Sequence, residues 1–210
     1  MNVDLKNLFS SPLWTFDLTT DDPQLNTMVI MDGQNYSQYV DQQHRLSNSP
    51  AFDPNNYNFF EYQGYGIERL REYTNQAIKQ ISQDRNWPET TVHIKARHNV
   101  IHPGECDTPH HHPGLDLVGV YYAEVPANSG DLLINETRGS MNLIWQEPLI
   151  TADDQGRTGR VYYRVKPKVG TLVMFPNYLF HSVETNLSND IRISIVMDIR
   201  INRIDDRGIY

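Results

Sequence analysis

Histidine is the residue type in this chain most suited to chemistry, and its spacing is uneven. Eight are present, and three of them run consecutively in TPHHHPGLD, as His110, His111 and His112. In an extended segment alternate side chains share a face, so His110 and His112 converge while His111 points away. A third imidazole is available from His181, in GTLVMFPNYLFHSVETN, where an apolar strand ends at Pro176 and Asn177 before the chain resumes. Two ligands from one strand edge and one from a distant strand form a facial set, which leaves adjacent coordination positions open. A histidine run by itself is equally compatible with a solvated surface, and a single histidine beside apolar residues is more often packing than ligand. It is the pairing of the two segments that points to a metal.

Eleven residues beyond His181 stands Arg192, in NDIRISIVMDI. Strand alternation puts Ile191, Ile193 and Ile195 on one face, expected to be the outer one, and Arg192, Ser194 and Val196 on the other. An inward guanidinium needs an anion, because an unpaired buried charge is costly. A carboxylate held by Arg192 in a two-pronged bond, with Ser194 adding a hydroxyl, would satisfy it. An intramolecular salt bridge would do so as well.

These residues need a scaffold that brings distant strands together. The clearest helix is expected from about Gly66 to Asp84, where Ile67, Leu70, Thr74, Ala77, Ile78 and Ile81 recur at three- and four-residue spacing. The polar first 60 residues read as one strand and a short helix with irregular connections. From residue 90 the period changes to two: Val92, Ile94, Ala96, His98 and Val100 alternate with His93, Lys95, Arg97 and Asn99. LDLVGVYYAEV, DLLIN, RVYYRV, TLVMF and IRISIVMDIRI follow as further short strands. Mainly β structure with flanking helices is expected, as a sandwich or barrel, and a jelly-roll double-stranded β-helix fits. The 210 residues suit a single domain, with helical and irregular support over about 1–90 and a β core over about 91–203.

Composition excludes several classes. A formal charge of -8 and the lack of Lys/Arg clusters argue against nucleic-acid binding. The longest uncharged runs are far too short to span a membrane, and the first residues have no apolar signal core. A lone cysteine, Cys106, cannot form an internal disulfide, so a cytoplasmic location is expected.

Four blocks of the sequence, in order, resemble the 2-oxoglutarate/Fe(II) oxygenase superfamily, in its small bacterial and phage branch related to prolyl hydroxylases. They are NLFSSPLWTFDL, NVIHPGE, HHHPGLDLVGVYYAEVPANSGDLLI and GTLVMFPNYLFHSVETNLSNDIRISI. The resemblance implies a double-stranded β-helix and bound Fe(II) held by His110, His112 and His181. It also implies a small-molecule co-substrate, 2-oxoglutarate, gripped by Arg192 and Ser194, with hydroxylation of a substrate as the reaction. Tyr121 and Asn99 are further candidates to line that pocket, although the Pro113–Gly114 turn leaves open whether Tyr121 or Tyr122 faces it. A peptide or protein side chain, prolyl among them, or a small molecule are the candidate substrates, and the resemblance points to a bacterial or infected bacterial cytoplasm.

The chain departs from the commoner H-x-D or H-x-E pattern of the superfamily, since the position two beyond His110 is His112. Three neutral imidazoles leave an iron ion more positive than a set containing a carboxylate. Asp116 folding back to replace one early histidine is a second reading. A third takes His112 and Gly114 as the halogenase arrangement. Two different functions also stay open: a three-histidine dioxygenase of the cupin sort without 2-oxoglutarate, and a non-catalytic module using the polar N-terminal third and the 140–160 region as interaction surface.

Overall fold

A computed structural model of the chain describes residues 11–47, 53, 56–88, 90–135, 162–205 and 208–209. The block before Ser11 and the 140–160 region lie outside the described residues. Along the described chain come β1 (Trp14–Asp17), α1 (Leu25–Ser47), α2 (Tyr65–Asp84), β2 (Thr90–Ile101), β3 (Asp107–His110) and β4 (Leu117–Glu124). Then follow β5 (Leu132–Asn135), β6 (Tyr162–Val165), β7 (Thr171–Pro176), β8 (His181–Val183), β9 (Arg192–Asp205) and β10 (Gly208–Ile209). None of the described helices is long and apolar enough to cross a membrane.

Two antiparallel sheets face one another. The larger runs β1-β7-β4-β9-β10, with β2 also hydrogen-bonded to β9, and the smaller runs β3-β8-β5-β6. Chain-adjacent strands repeatedly alternate between sheets, as in β3 to β4 and β7 to β8, which is the winding of a double-stranded β-helix. Its interior holds Val118, Val120, Tyr122, Leu132, Val173, Phe175 and neighbours. A second apolar cluster lies on the opposite face of the larger sheet, where α1 and α2 cover Leu117, Tyr121, Leu172, Met174, Ile193, Ile195, Met197 and Ile199.

That second cluster corrects the expected orientation of β9. Its isoleucines are not outer residues: Ile193, Ile195, Ile199 and Ile201 are buried beneath the helices, while Arg192 and Ser194 are buried on the other face. From Arg192 to Asp198 the strand is sandwiched, and of the three expected outer isoleucines Ile191 alone, just before it, is exposed.

The helices also depart partly from expectation. The N-terminal helix is not short, since α1 is 23 residues long. Its buried positions, Leu25, Val29, Gly33, Tyr36 and Val40, keep helical spacing, but Asn, Gln, Ser and Asp on the other faces mask the pattern. α2 lies where periodicity predicts it, burying Ile67, Leu70, Ala77, Ile78 and Ile81.

Two contacts lock the helices together and onto the sheet. Asp32 of α1 accepts a hydrogen bond from the Ile67 amide at 3.1 Å, capping α2 from another helix because the local cap position is Gly64. Asn26 of α1 donates to the Ala123 carbonyl at 2.9 Å and accepts from the Tyr121 hydroxyl at 3.1 Å. Gly66 makes the helix crossing possible, since a Cβ there would stand 2.5 Å from the Met28 carbonyl carbon and 2.6 Å from the Val29 amide nitrogen. Gly66→Ala therefore tests the packing against helix propensity. Alanine gains about 1 kcal/mol of propensity, yet overpacking against backbone costs about 1–3 kcal/mol. A lowered midpoint of denaturant unfolding is expected; a raised one would mean the helices are not held at this distance.

Candidate metal centre

The three histidines meet where the small sheet is narrowest. β3 pairs with β8 so that His110 lies directly opposite His181, and β5 places Ile134 on the other side of His181. The chain beyond His110 is tied to the β7–β8 turn, with the His112 amide donating to the Asn177 carbonyl (3.3 Å) and the Asn177 side chain donating to the His112 carbonyl (3.1 Å). His110 and His112 thus face the same way. His111 turns outward, with its ring 4.5 Å from that of the exposed Phe180.

Ring centroids are 4.4 Å apart for His110 and His181, 5.1 Å for His110 and His112, and 5.2 Å for His112 and His181. One ring nitrogen from each falls within 4.8 Å of the others, a group able to hold a metal ion. The second ring nitrogens explain the convergence. Nδ1 of His110 lies 2.7 Å from the Thr108 carbonyl, Nδ1 of His181 lies 3.0 Å from the Leu179 carbonyl, and Nδ1 of His112 lies 2.7 Å from the Asp198 carboxylate. An acceptor at each Nδ1 places the proton there and leaves the Nε2 lone pair for a metal. Nε2 of His112 is buried with no hydrogen-bond partner, the state expected of an atom whose partner is a cation.

At His181 burial favours the neutral, ligating form. Burial pushes His181 down to about 4, with the neighbouring histidines adding to the effect and its bond to Leu179 opposing it. Asp198 is held below the usual carboxylate range: burial pushes it up, but the bond to His112 and the Arg97 guanidinium outweigh this. Arg97 reaches both of its oxygens, at 2.9 and 3.3 Å.

A second cluster occupies the larger sheet. Tyr122, Ser194 and Asn99 are aligned across β4, β9 and β2, and therefore share the interior face with Arg192. Arg192 is 1 % exposed, and its Nε and Nη1 have no hydrogen-bond partner. Its guanidinium carbon sits 5.4 Å from the centre of the Tyr122 ring. Burial pulls Arg192 below its ordinary value and raises the Tyr122 hydroxyl to about 12. The Tyr122 hydroxyl and the Thr171 hydroxyl are also buried without partners. Asn99 sits toward the rim, with its side-chain amide 3.4 Å from Asp107.

Tyr121 requires a correction. Its side chain points to the helices, where its hydroxyl bonds Asn26, and strand alternation leaves Tyr122 as the tyrosine of the interior. The other two ligand readings also lose their geometry. The Asp116 carboxylate accepts from the Ile201 amide at 2.8 Å and is not part of the histidine group. Gly114 is a turn residue at φ +79° whose carbonyl accepts from Arg200, so it does not open a place beside His112. Asp198 and Arg97 are the residues that sequence reading missed. The alternation that pairs Arg192 with Ser194 continues to Asp198, and that was the available signal.

Residues 95–198 match the family model described as "Putative 2OG-Fe(II) oxygenase". No curated protein matches the chain. Among solved structures, a prolyl-4-hydroxylase of Pseudomonas putida is 14% identical with a TM-score of 0.52, covering 91% of this chain and 88% of its own. A prolyl hydroxylase from Trichoplax adhaerens, solved with a hypoxia inducible factor oxygen degradation domain peptide fragment, is 13% identical with a TM-score of 0.51, covering 90% and 83%. A Burkholderia pseudomallei oxidoreductase of the 2OG-Fe(II) oxygenase family is 14% identical with a TM-score of 0.40 over 53% of this chain, which spans only 46% of that protein's length. At these identities the likeness is one of fold, the double-stranded β-helix.

The β core, residues 95–198, belongs to the 2-oxoglutarate/Fe(II) oxygenase family. Fe(II) and 2-oxoglutarate are the metal and co-substrate that membership implies, and a three-histidine group that could hold a metal ion is present.

Because Asp116 is engaged with Ile201, Asp116→Asn is expected to leave the affinity for Co(II), an air-stable probe ion, within about twofold. His181→Ala should weaken it by more than the roughly 10–100-fold of a supporting-residue loss. A titration in which Asp116→Asn matches His181→Ala would bring Asp116 into the coordination set.

Proposed function

We propose that this chain is a 2-oxoglutarate-dependent Fe(II) hydroxylase with His110, His112 and His181 as the metal ligands. The observation that carries the reading is Arg192, a guanidinium buried in the same interior with Nε and Nη1 unpartnered. A buried cation of this kind is strongly destabilising unless an anion completes it. The distal carboxylate of 2-oxoglutarate is an anion of the right chemistry, with Ser194, Tyr122 and Thr171 as hydroxyl donors on the surrounding strands. Asn99 stands at the rim of the same face.

Fe(II) and 2-oxoglutarate, when bound, supply the oxidation: dioxygen is consumed, the co-substrate becomes succinate and carbon dioxide, and a substrate C–H becomes C–OH. What the chain itself contributes is orientation. Carbonyls of Thr108 and Leu179 and the carboxylate of Asp198 fix the imidazoles, while Arg192 sets how deep the co-substrate lies. The apolar β-helix interior, with Phe175 at 4.9 Å from His181, keeps water from the reacting atoms. We assign the substrate to the peptide or protein class, the prolyl side chain included, because the Trichoplax relative of like fold holds a peptide. The support region of residues 1–90 and the β core work as one domain in this reading, since α1 and α2 share an apolar cluster with the larger sheet.

A three-histidine dioxygenase without 2-oxoglutarate shares the fold and the ligands but leaves Arg192 unexplained. Anaerobic addition of Fe(II) and 2-oxoglutarate separates the two: the proposed function produces a visible metal-to-ligand charge-transfer band, the alternative none. In Arg192→Ala, loss of one partner of a buried charge pair removes about 2–5 kcal/mol, so 2-oxoglutarate affinity should fall roughly 30-fold or more. Fe(II) uptake should be unchanged in that variant and serves as its folding control. Unaltered 2-oxoglutarate affinity would remove Arg192 from the co-substrate site.

A further inference from the structure

The three imidazoles are not equivalent in what stands behind them. His110 and His181 each point Nδ1 at a neutral backbone carbonyl, whereas His112 points Nδ1 at the Asp198 carboxylate, at 2.7 Å. Both members of that pair are largely shielded from water, the side chains being 9 % and 14 % exposed. His112 is also the residue that occupies the place of the carboxylate in the commoner H-x-D pattern. The position that departs from that pattern is thus the one position with a carboxylate behind it.

Asp198 is in turn gripped by Arg97, through contacts of 2.9 and 3.3 Å to its two oxygens. β9 and β2 hold this arrangement, since Asp198 pairs with Lys95 and Arg97 with Val196, two rungs apart and so on the same face of one ladder. On the β4 side Asp198 pairs with Val118, so nothing polar from that strand competes for it.

We propose that Asp198 is a positioning residue that replaces the missing ligand carboxylate at one remove, lending its negative charge to the metal through His112, with Arg97 setting how much charge is lent. An imidazole whose Nδ1–H is bonded to a carboxylate is a stronger donor at Nε2 than one bonded to a carbonyl. The His112–Asp198 pair therefore gives the site a net charge closer to that of two histidines and a carboxylate. Arg97 acts in the opposite sense, drawing charge back toward its guanidinium. The inference rests on the proposed iron and 2-oxoglutarate reading.

The test compares the parent chain with Asp198→Asn, Arg97→Gln and the double variant, each loaded anaerobically with Fe(II) and 2-oxoglutarate. Asparagine can still accept from Nδ1 and so preserves ring orientation while removing the charge. Weaker donation lowers the iron d levels, so the charge-transfer band should move to higher energy in Asp198→Asn. Freed from Arg97, Asp198 lends more charge, so the band should move to lower energy in Arg97→Gln. The double variant should match Asp198→Asn, because Arg97 acts only through Asp198. Shifts of the same sign, or none, would overturn the proposal, because a merely structural role does not produce opposite signs. A parent chain without the band would instead defeat the iron and 2-oxoglutarate reading. The Asp198–His112 pairing is then read from Co(II) affinity alone, expected to fall about 10–100-fold in Asp198→Asn and to recover in Asp198→Glu. Equal Co(II) affinity in parent and Asp198→Asn would overturn it there.

Discussion

Strand β9 is covered on both faces from Arg192 to Asp198, and the rest of the structure is arranged around that constraint. On one face Ile193, Ile195, Met197 and Ile199 form the seat for α1 and α2. On the other face the same strand carries Arg192, Ser194 and Asp198 into the β-helix interior. The apolar face supplies the free energy that holds the polar face in place, because each buried isoleucine contributes about 1.5–3 kcal/mol. A polar strand without such an anchor would turn its charges to water.

The three-histidine group depends on that strand less directly. His110 and His181 are brought together by the smaller sheet, through one antiparallel register. His112 is held from behind by Asp198, which belongs to the larger sheet. The hydrogen bond between them is therefore a tie between the two sheets, as well as the means by which a ring nitrogen is aimed. Asn177 makes a second tie, bonding the backbone of His112 in both directions. With both ties present, the spacing of the two sheets and the aim of the imidazoles are set by the same contacts.

Charged and ligating groups are gathered in the β-helix interior. Three imidazoles, a carboxylate behind one of them, and a guanidinium with Nε and Nη1 unpartnered, influenced by Asp107 and Asp131, are among the groups in the described interior. Nε and Nη1 of Arg192 and Nε2 of His112 are buried without a hydrogen-bond partner. A buried polar atom left without a partner is costly.

Much of this was legible in the sequence. The alternation from Val92 to Val100, the run of histidines, and the spacing of His181 and Arg192 are local patterns, and local patterns survive in one dimension because strand geometry has a period of two. α2 was legible for the same reason, at a period of 3.6. What the sequence could not determine depended on neighbours far along the chain. The length of α1 was hidden because its exposed faces are polar and only packing against the sheet and α2 selects the helix. Tyr121 and Tyr122 are chemically identical, and only the position of Asn26 and the helices decides which one is interior. The outer or inner status of the isoleucines of β9 likewise required knowing that helices cover that face. Asp198 stands 86 residues from His112, and a contact of 2.7 Å across that separation is a property of the assembled sheets. The sequence by itself determined which residues could ligate and which periodicities would form; the tertiary structure decided which faces were buried, because burial is a relation between elements rather than a property of any one of them.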